Sequence, residues 1–239
     1  MTYEILTIPC LSDNYAFLLH DNVTGTTALI DAPEAAPILS ALAAKSWSLD
    51  LVLLTHHHWD HIEGLSELKE TYSPLVVGAA ADVERLPALD IAVSEGDTIK
   101  VGEIEGTVLD VSGHTINHIA FVFPGAVFSG DSLFAMGCGR VFEGDMAMMH
   151  QSLQKLAALP PDTMVYSGHE YTLANARFAL SYAPEDMAIK SRADDVERLR
   201  ASGIPTVPSL LSLELATNLF IRAKNVTEFG DIRRAKDNF

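Results

Sequence analysis

Basic residues are scarce in this chain. Lys and Arg number 16 against 32 Asp and Glu, a formal net charge of −16. So acidic a composition disfavours nucleic acid as a general partner, because phosphate binding needs a basic surface. Long apolar runs are missing too: none approaches the roughly 18 residues that a membrane-spanning helix needs, so no membrane partner is expected. Cysteine is nearly absent. Cys10 and Cys138 give no disulfide framework and point to a reducing, cytoplasmic home. The opening Met1-Thr2-Tyr3-Glu4 has neither the basic nor the apolar region of a secretory leader, and none is expected. There is no internal repeat and no low-complexity linker. What is present is ordinary for a globular chain: 239 residues, 48% hydrophobic and 20% charged, which excludes disorder and suits one large domain with a smaller appendage.

The first half alternates strand-like and helix-like segments. Strands are expected at Tyr3–Ile8, Tyr15–His20, Thr26–Ile30, Leu75–Val77, Glu105–Val111, Ile119–Phe123, Val127–Ser129 and Met164–Ser167, where β-branched and aromatic residues lie between turn residues. The apolar run Leu51-Val52-Leu53-Leu54 suits a strand buried on both faces. Helical spacing marks Pro33–Ser46, Ile62–Tyr72 and Met146–Leu159, the last stopped by Pro160-Pro161. After about residue 171 only helices are expected, at Thr172–Tyr182, Pro184–Ala201 and Ser209–Ala223. The reading is an α/β domain over 1–168 followed by a small helical domain over 169–239.

Nine histidines are present, and four fall between His56 and His61. Packing does not explain such a cluster, because His is costly to bury without partners. In Thr55-His56-His57-His58-Trp59-Asp60-His61, residues two apart on extended backbone point the same way, so His56 and His58 can reach one ion. Asp60 and His61 can reach another point nearby. Three later segments end a strand with Gly and a ligand type: Ser112-Gly113-His114, Ser129-Gly130-Asp131 and Ser167-Gly168-His169. Ligand sites in α/β proteins favour such strand ends. Imidazole with carboxylate suits zinc, iron or manganese.

This pattern resembles the metallo-β-lactamase superfamily, whose fold is an αβ/βα sandwich. Pro9–Tyr15, Gly130–Phe134, Gly137–Gly144, Gly168-His169-Glu170-Tyr171 and Arg233–Phe239 narrow the resemblance to the glyoxalase II (hydroxyacylglutathione hydrolase) family. The resemblance implies two divalent ions, zinc first, with iron or manganese admitted by the same ligands. One ion would take His56, His58 and His114, the other Asp60, His61 and His169, and Asp131 would bridge both. The activity implied is hydrolysis of S-D-lactoylglutathione and related 2-hydroxyacylglutathione thioesters by a metal-bridging hydroxide, giving D-lactate and glutathione, the second step of methylglyoxal detoxification. Asp60 and Asp131 are the expected catalytic carboxylates. Arg140, Tyr171, Arg233 and Lys236 would hold the glutathione moiety of the small-molecule substrate, and a monomer is expected. Alternatives of the same fold are a lactonase or another thioesterase and, further off, a sulfur-dioxygenase-type oxidoreductase with one iron.

The chemistry fits the residues. Metal-bound water is acidified to a pKa of about 7, which supplies a nucleophile without Ser or Cys. A thiolate leaving group, pKa roughly 8.5, needs no strong general acid. Substrate carboxylates want fixed cations, and Arg222, Lys224, Arg233, Arg234 and Lys236 crowd the end of an acidic chain. The sequence departs from the family at Ser112, where Pro is usual, and at Asn117, where Gly is common. It departs also at Arg140, often Lys, at Phe142, where Tyr can occur, and at Leu219, often Pro. None is an expected metal ligand. His57 and Trp59 are expected to face away from the ions, and Cys138 to pack as a small apolar residue. His118 and Asp31 either support ligands or are structural.

Overall fold

Runs of β-branched and aromatic residues between turns form the first three strands, β1 (Tyr3–Cys10), β2 (Asn14–Asp21) and β3 (Thr27–Ile30). The computed structural model describes residues 3–239. They divide into two units, one reaching to Asp110 and including Ile119–Pro124, the other made of Val111–His118 and Gly125–Phe239.

In the first unit β1, β2 and β3 pair antiparallel. The sheet then continues in parallel through β4 (Leu51–Leu53), β5 (Leu75–Ala79) and β6 (Ile91–Val93). β4 lies between two parallel neighbours and is buried throughout, as its unbroken apolar run requires. Helix α1 (Ala35–Lys45) carries the chain from β3 to β4 and buries Ala35, Ile38 and Leu42. The helix expected over 62–72 starts only at Leu65, as α3 (Leu65–Thr71), and a separate short helix, α2 (Trp59–Ile62), precedes it. Gly64 separates them: its N–H donates to Ala32 O at 2.8 Å, and a Cβ there would stand 2.7 Å from Ala35 N. An antiparallel ladder of β7 (Thr98–Val101), β8 (Ile104–Asp110) and β9 (Ile119–Phe123) completes the unit. Neither β6 nor β7 is expected from the sequence; both are short, and β6 is exposed at two of its three positions.

The second unit is built on β10 (Ala126–Gly130), the hairpin of β11 (Leu133–Phe134) with β12 (Gly137–Cys138), and β13 (Met164–Ser167), which pairs parallel with β10. Helix α4 (Met146–Ala157) lies between the hairpin and β13, and Asp145 caps it by accepting from Met148 N. Helices α5 (Thr172–Tyr182) and α6 (Met187–Ala201) follow. α6 starts later than Pro184 because Asp186 caps it, accepting from the N–H groups of Ala188 and Ile189. The helix expected over 209–223 is broken. Ser209–Leu210 forms β14, antiparallel to β13, and then come α7 (Leu211–Thr217) and α8 (Leu219–Arg222). Asn218 makes the break, since its side chain accepts from Phe220 N and starts α8. Helix α9 (Val226–Asp237) ends the chain, burying Phe229, Ile232 and Arg233. Among the described residues no helix is long and apolar enough to cross a membrane.

Candidate metal centre

Parallel pairing aligns the carboxyl ends of β3 and β4, and these ends release Asp31 and Thr55-His56. Asp31 has left-handed backbone, φ 56°, which Asp tolerates better than most residues. Its Oδ1 accepts from Thr55 N at 2.8 Å. Its Oδ2 accepts from Thr55 Oγ1 at 2.8 Å and lies 2.8 Å from His61 Nδ1. His56 Nδ1 is 3.0 Å from the same Thr55 hydroxyl. Both buried rings are thus held through Nδ1, which leaves Nε2 as the ligand nitrogen. The His56 ring centroid is 4.2 Å from that of His61 and 4.7 Å from that of His58. Asp60 Oδ2 lies 3.9 Å from His61 Nε2 and accepts from Asn14 Nδ2 at 3.1 Å, while the same amide donates to Asp60 O. Asp31, His56 and His61 offer donor atoms within 4.8 Å of one another, but the Asp31 bond to His61 Nδ1 makes it an orienting carboxylate. His57 is tethered at Nδ1 to Asp82 (3.1 Å), and Trp59 is exposed.

In the second unit, β10 and β13 end side by side. Gly168 N donates to Gly130 O at 2.9 Å, so the next residues, Asp131 and His169, emerge as neighbours. Asp131 Oδ2 lies 3.5 Å from His114 Nε2 and 3.3 Å from His169 Nε2. All three are buried. His114 sits on the segment 111–118, which Ser132 ties down by donating to Val111 O at 2.7 Å. Its Nδ1 faces Arg140 O at 2.9 Å, again leaving Nε2 for an ion. His118 Nε2 accepts from the backbone N–H of Asp131 at 3.1 Å, so His118 supports a ligand residue. Gly139 admits this packing: a Cβ there would stand 2.0 Å from Asp131 O and 2.9 Å from His114 Nδ1. Asn117, where the family commonly has Gly, has φ 66°, a conformation Asn also accepts. The donor set of buried imidazoles, oriented from behind and gathered around carboxylates, fits divalent metal.

The expected substrate residues also lie in the second unit. Tyr171 is partly exposed and stacks on His169, centroids 4.6 Å apart and planes 5° off parallel. Arg140 is exposed, its Nε 3.7 Å from Asp237 Oδ1. Lys236 lies over the rings of Phe178 and Phe239 and donates to Ala174 O. Burial, and after it the charges of Arg233 and Arg140, push its pKa down. Arg233 is only 3% exposed. Its guanidinium donates to Cys138 O at 3.0 Å and to Asp237 at 2.8 and 3.0 Å, and it lies over the Phe220 ring. Cys138 is buried, and burial pushes its thiol up to about 11 in spite of Arg233, consistent with a packing role.

Residues 15–169 match the family model of the metallo-beta-lactamase superfamily, and residues 170–239 match that of the hydroxyacylglutathione hydrolase C-terminus. The chain belongs to the hydroxyacylglutathione hydrolase family. A hydroxyacylglutathione hydrolase of Ruegeria pomeroyi is 57% identical over all of both chains. One from a Jannaschia species is 60% identical over 99% of this chain and 98% of its own. Among solved structures, ETHE1 from Myxococcus xanthus is similar with a TM-score of 0.72 and 27% identity, over 98% of this chain and 90% of its own. The fold is the metallo-β-lactamase one with a C-terminal helical region, and the chain is a hydrolase. The oxidoreductase alternative is not favoured by relatives this similar.

Three residues of this hydroxyacylglutathione hydrolase family member carry structural weight that the sequence reading does not assign. Asn14 lies within the Pro9–Tyr15 motif, but nothing local shows that its amide reaches Asp60. Glu214 and Asn218 reach groups far from them in sequence: Glu214 accepts from Met136 N, and Asn218 donates to Phe134 O and Gly137 O.

Proposed function

We propose that the chain hydrolyses 2-hydroxyacylglutathione thioesters, with S-D-lactoylglutathione as the substrate and D-lactate and glutathione as products. The observation that carries this reading is Asp131 standing between the Nε2 atoms of His114 and His169, in a chain whose last 70 residues match the hydroxyacylglutathione hydrolase C-terminus. In this reading His56, His58 and His114 would hold one divalent ion and Asp60, His61 and His169 the other, with Asp131 available to both. Zinc is the proposed metal. Bound divalent ions would acidify a water and offset the negative charge that develops on the thioester oxygen. The chain's own groups do the rest. Asp60, steadied by Asn14, orients the attacking water. Asp31, Thr55 and His118 hold the ligands in place. Water adds to the acyl carbon, the carbon–sulfur bond breaks, and the thiolate leaves without needing a strong acid.

We assign the glutathione moiety to residues 169–239 together with Arg140. Arg140 and Lys236 face its carboxylates and Tyr171 its backbone, while Arg233 adds charge from beneath and steadies the Cys138 carbonyl. Residues 1–168 supply the chemistry. The working form is a cytoplasmic monomer. The test pairs elemental analysis with a thioester assay on one preparation. Two equivalents of metal, loss of at least about 100-fold in rate on chelation, and recovery on adding zinc are expected. Hydrolysis at full rate by metal-free protein, or of a lactone in preference to the thioester, would overturn the reading.

A further inference from the structure

Glu214 of α7 is wholly buried, yet it is a carboxylate with four donors. Oε1 accepts from Arg192 of α6 and from Ser209 Oγ; Oε2 accepts from Met136 N at 2.8 Å and from Asn218 Nδ2 at 3.1 Å. Charged groups are kept inside only when so paired. The network opens onto one target, the turn between β11 and β12. Asn218 Nδ2 also donates to Phe134 O (3.1 Å) and Gly137 O (3.0 Å), and Asn175 Nδ2 to Ala135 O (3.1 Å). Backbone groups of four successive residues, Phe134 to Gly137, are thus held by side chains of the helical region. Met136 is held among them at φ 57°, where a non-glycine residue does not settle unaided. Phe134 meets Tyr171 edge-on at 5.3 Å and His169 edge-on at 6.0 Å. We propose that Asn218 and Glu214 are positioning residues that lock this turn, so that Phe134 fixes the His169–Tyr171 stack. The helical region thereby sets the orientation of one metal ligand and one substrate-facing ring together. The inference rests on the function proposed above for the roles of His169 and Tyr171.

The test uses the full chain loaded with zinc. Asn218→Ala and Phe134→Leu are made singly and together, with Leu153→Ala, a buried α4 position, as a control for general loss of stability. Chelator competition reads ion retention with no substrate present, and KM against kcat reads the Tyr171 side. Asn218→Ala is expected to release one ion at roughly tenfold lower chelator concentration, the scale of losing support behind a ligand, and to raise KM several-fold more than kcat falls. Phe134→Leu should do the same, and the double variant should be no worse than the stronger single one, because both act through one contact. Should Asn218→Ala fail to fold, Glu214→Gln, equal in size and stripped of charge, carries the same measurements. Retention and KM that merely match Leu153→Ala, or effects that add in the double variant, would overturn the proposal. A chain that cleaves no glutathione thioester defeats the functional reading instead, and leaves the retention measurement to decide this one.

Discussion

Asp60 does two things at once: it is an expected ligand, and its carboxylate accepts a hydrogen bond from the Asn14 side-chain amide. Asp60→Asn keeps the shape and part of the hydrogen bonding but removes the charge to which we assign the orienting of the water. A fall in kcat of about 100-fold or more is expected, the scale of a lost proton acceptor, with a smaller rise in KM. Steady-state kinetics on protein of verified metal content checks it, and unchanged kcat rejects the role. Lys236 gives a prediction in pH. Its pKa is lowered by burial and then by Arg233 and Arg140, so folding disfavours its charge. That penalty is full at neutral pH and relaxes as pH rises through the folded pKa toward the ordinary lysine value of about 10.4. Binding runs the other way, because the neutral amine no longer attracts a carboxylate. KM should therefore start to rise below pH 10.4, and Lys236→Arg should move that rise upward. A pH–KM profile identical in the two proteins would remove Lys236 from the substrate site.

At the level of elements, helix ends are where sequence and structure can be compared and improved. Helix α1 ends on Ser46 in left-handed backbone, φ 57°, with its N–H on Ala43 O. Glycine occupies such a position at lower strain, so Ser46→Gly should stabilise the fold by about 0.5 kcal/mol, read from the urea midpoint. Unchanged or lower stability would mean that the added unfolded-state freedom outweighs the strain relieved. The same local logic explains what was legible in advance. β4, α5 and the strands that lead into Asp131 and His169 stand out because their apolar period or their Gly-ligand endings lie in adjacent residues. The break of α3 from α2 was not legible, since Gly64 fits only because the Ala32–Ala35 backbone passes beside it. Nor was the break at Asn218, whose cap role competes with a helix pattern running through it. β11 and β12 have no signature in the sequence, because two-residue strands carry no period. All the expected ligand types were legible as residues; the carboxylates and amides behind them, Asp31 apart, were not, because they act over long sequence separations.

For the whole molecule the governing quantity is charge. A chain of net charge −16 meets a substrate whose glutathione part carries two carboxylates and one ammonium. At about 0.01 M ionic strength the screening length is roughly 30 Å, so most of the protein's acidic groups repel the approaching anion; at about 0.1 M it falls to roughly 10 Å. The proposed contacts with Arg140 and Lys236 would act at a few ångströms and survive that screening. Raising salt across this range should therefore increase kcat/KM by a few-fold before any decline sets in at higher salt. In Arg140→Ala, the low-salt rise should persist while the absolute value is lower at every salt concentration, because the variant loses the short-range attraction and keeps the long-range repulsion. Initial rates at substrate well below KM, with viscosity held constant, check both statements. A kcat/KM that falls from the lowest salt onward in the unmodified chain would show that the basic cluster, and not the acidic surface, controls encounter.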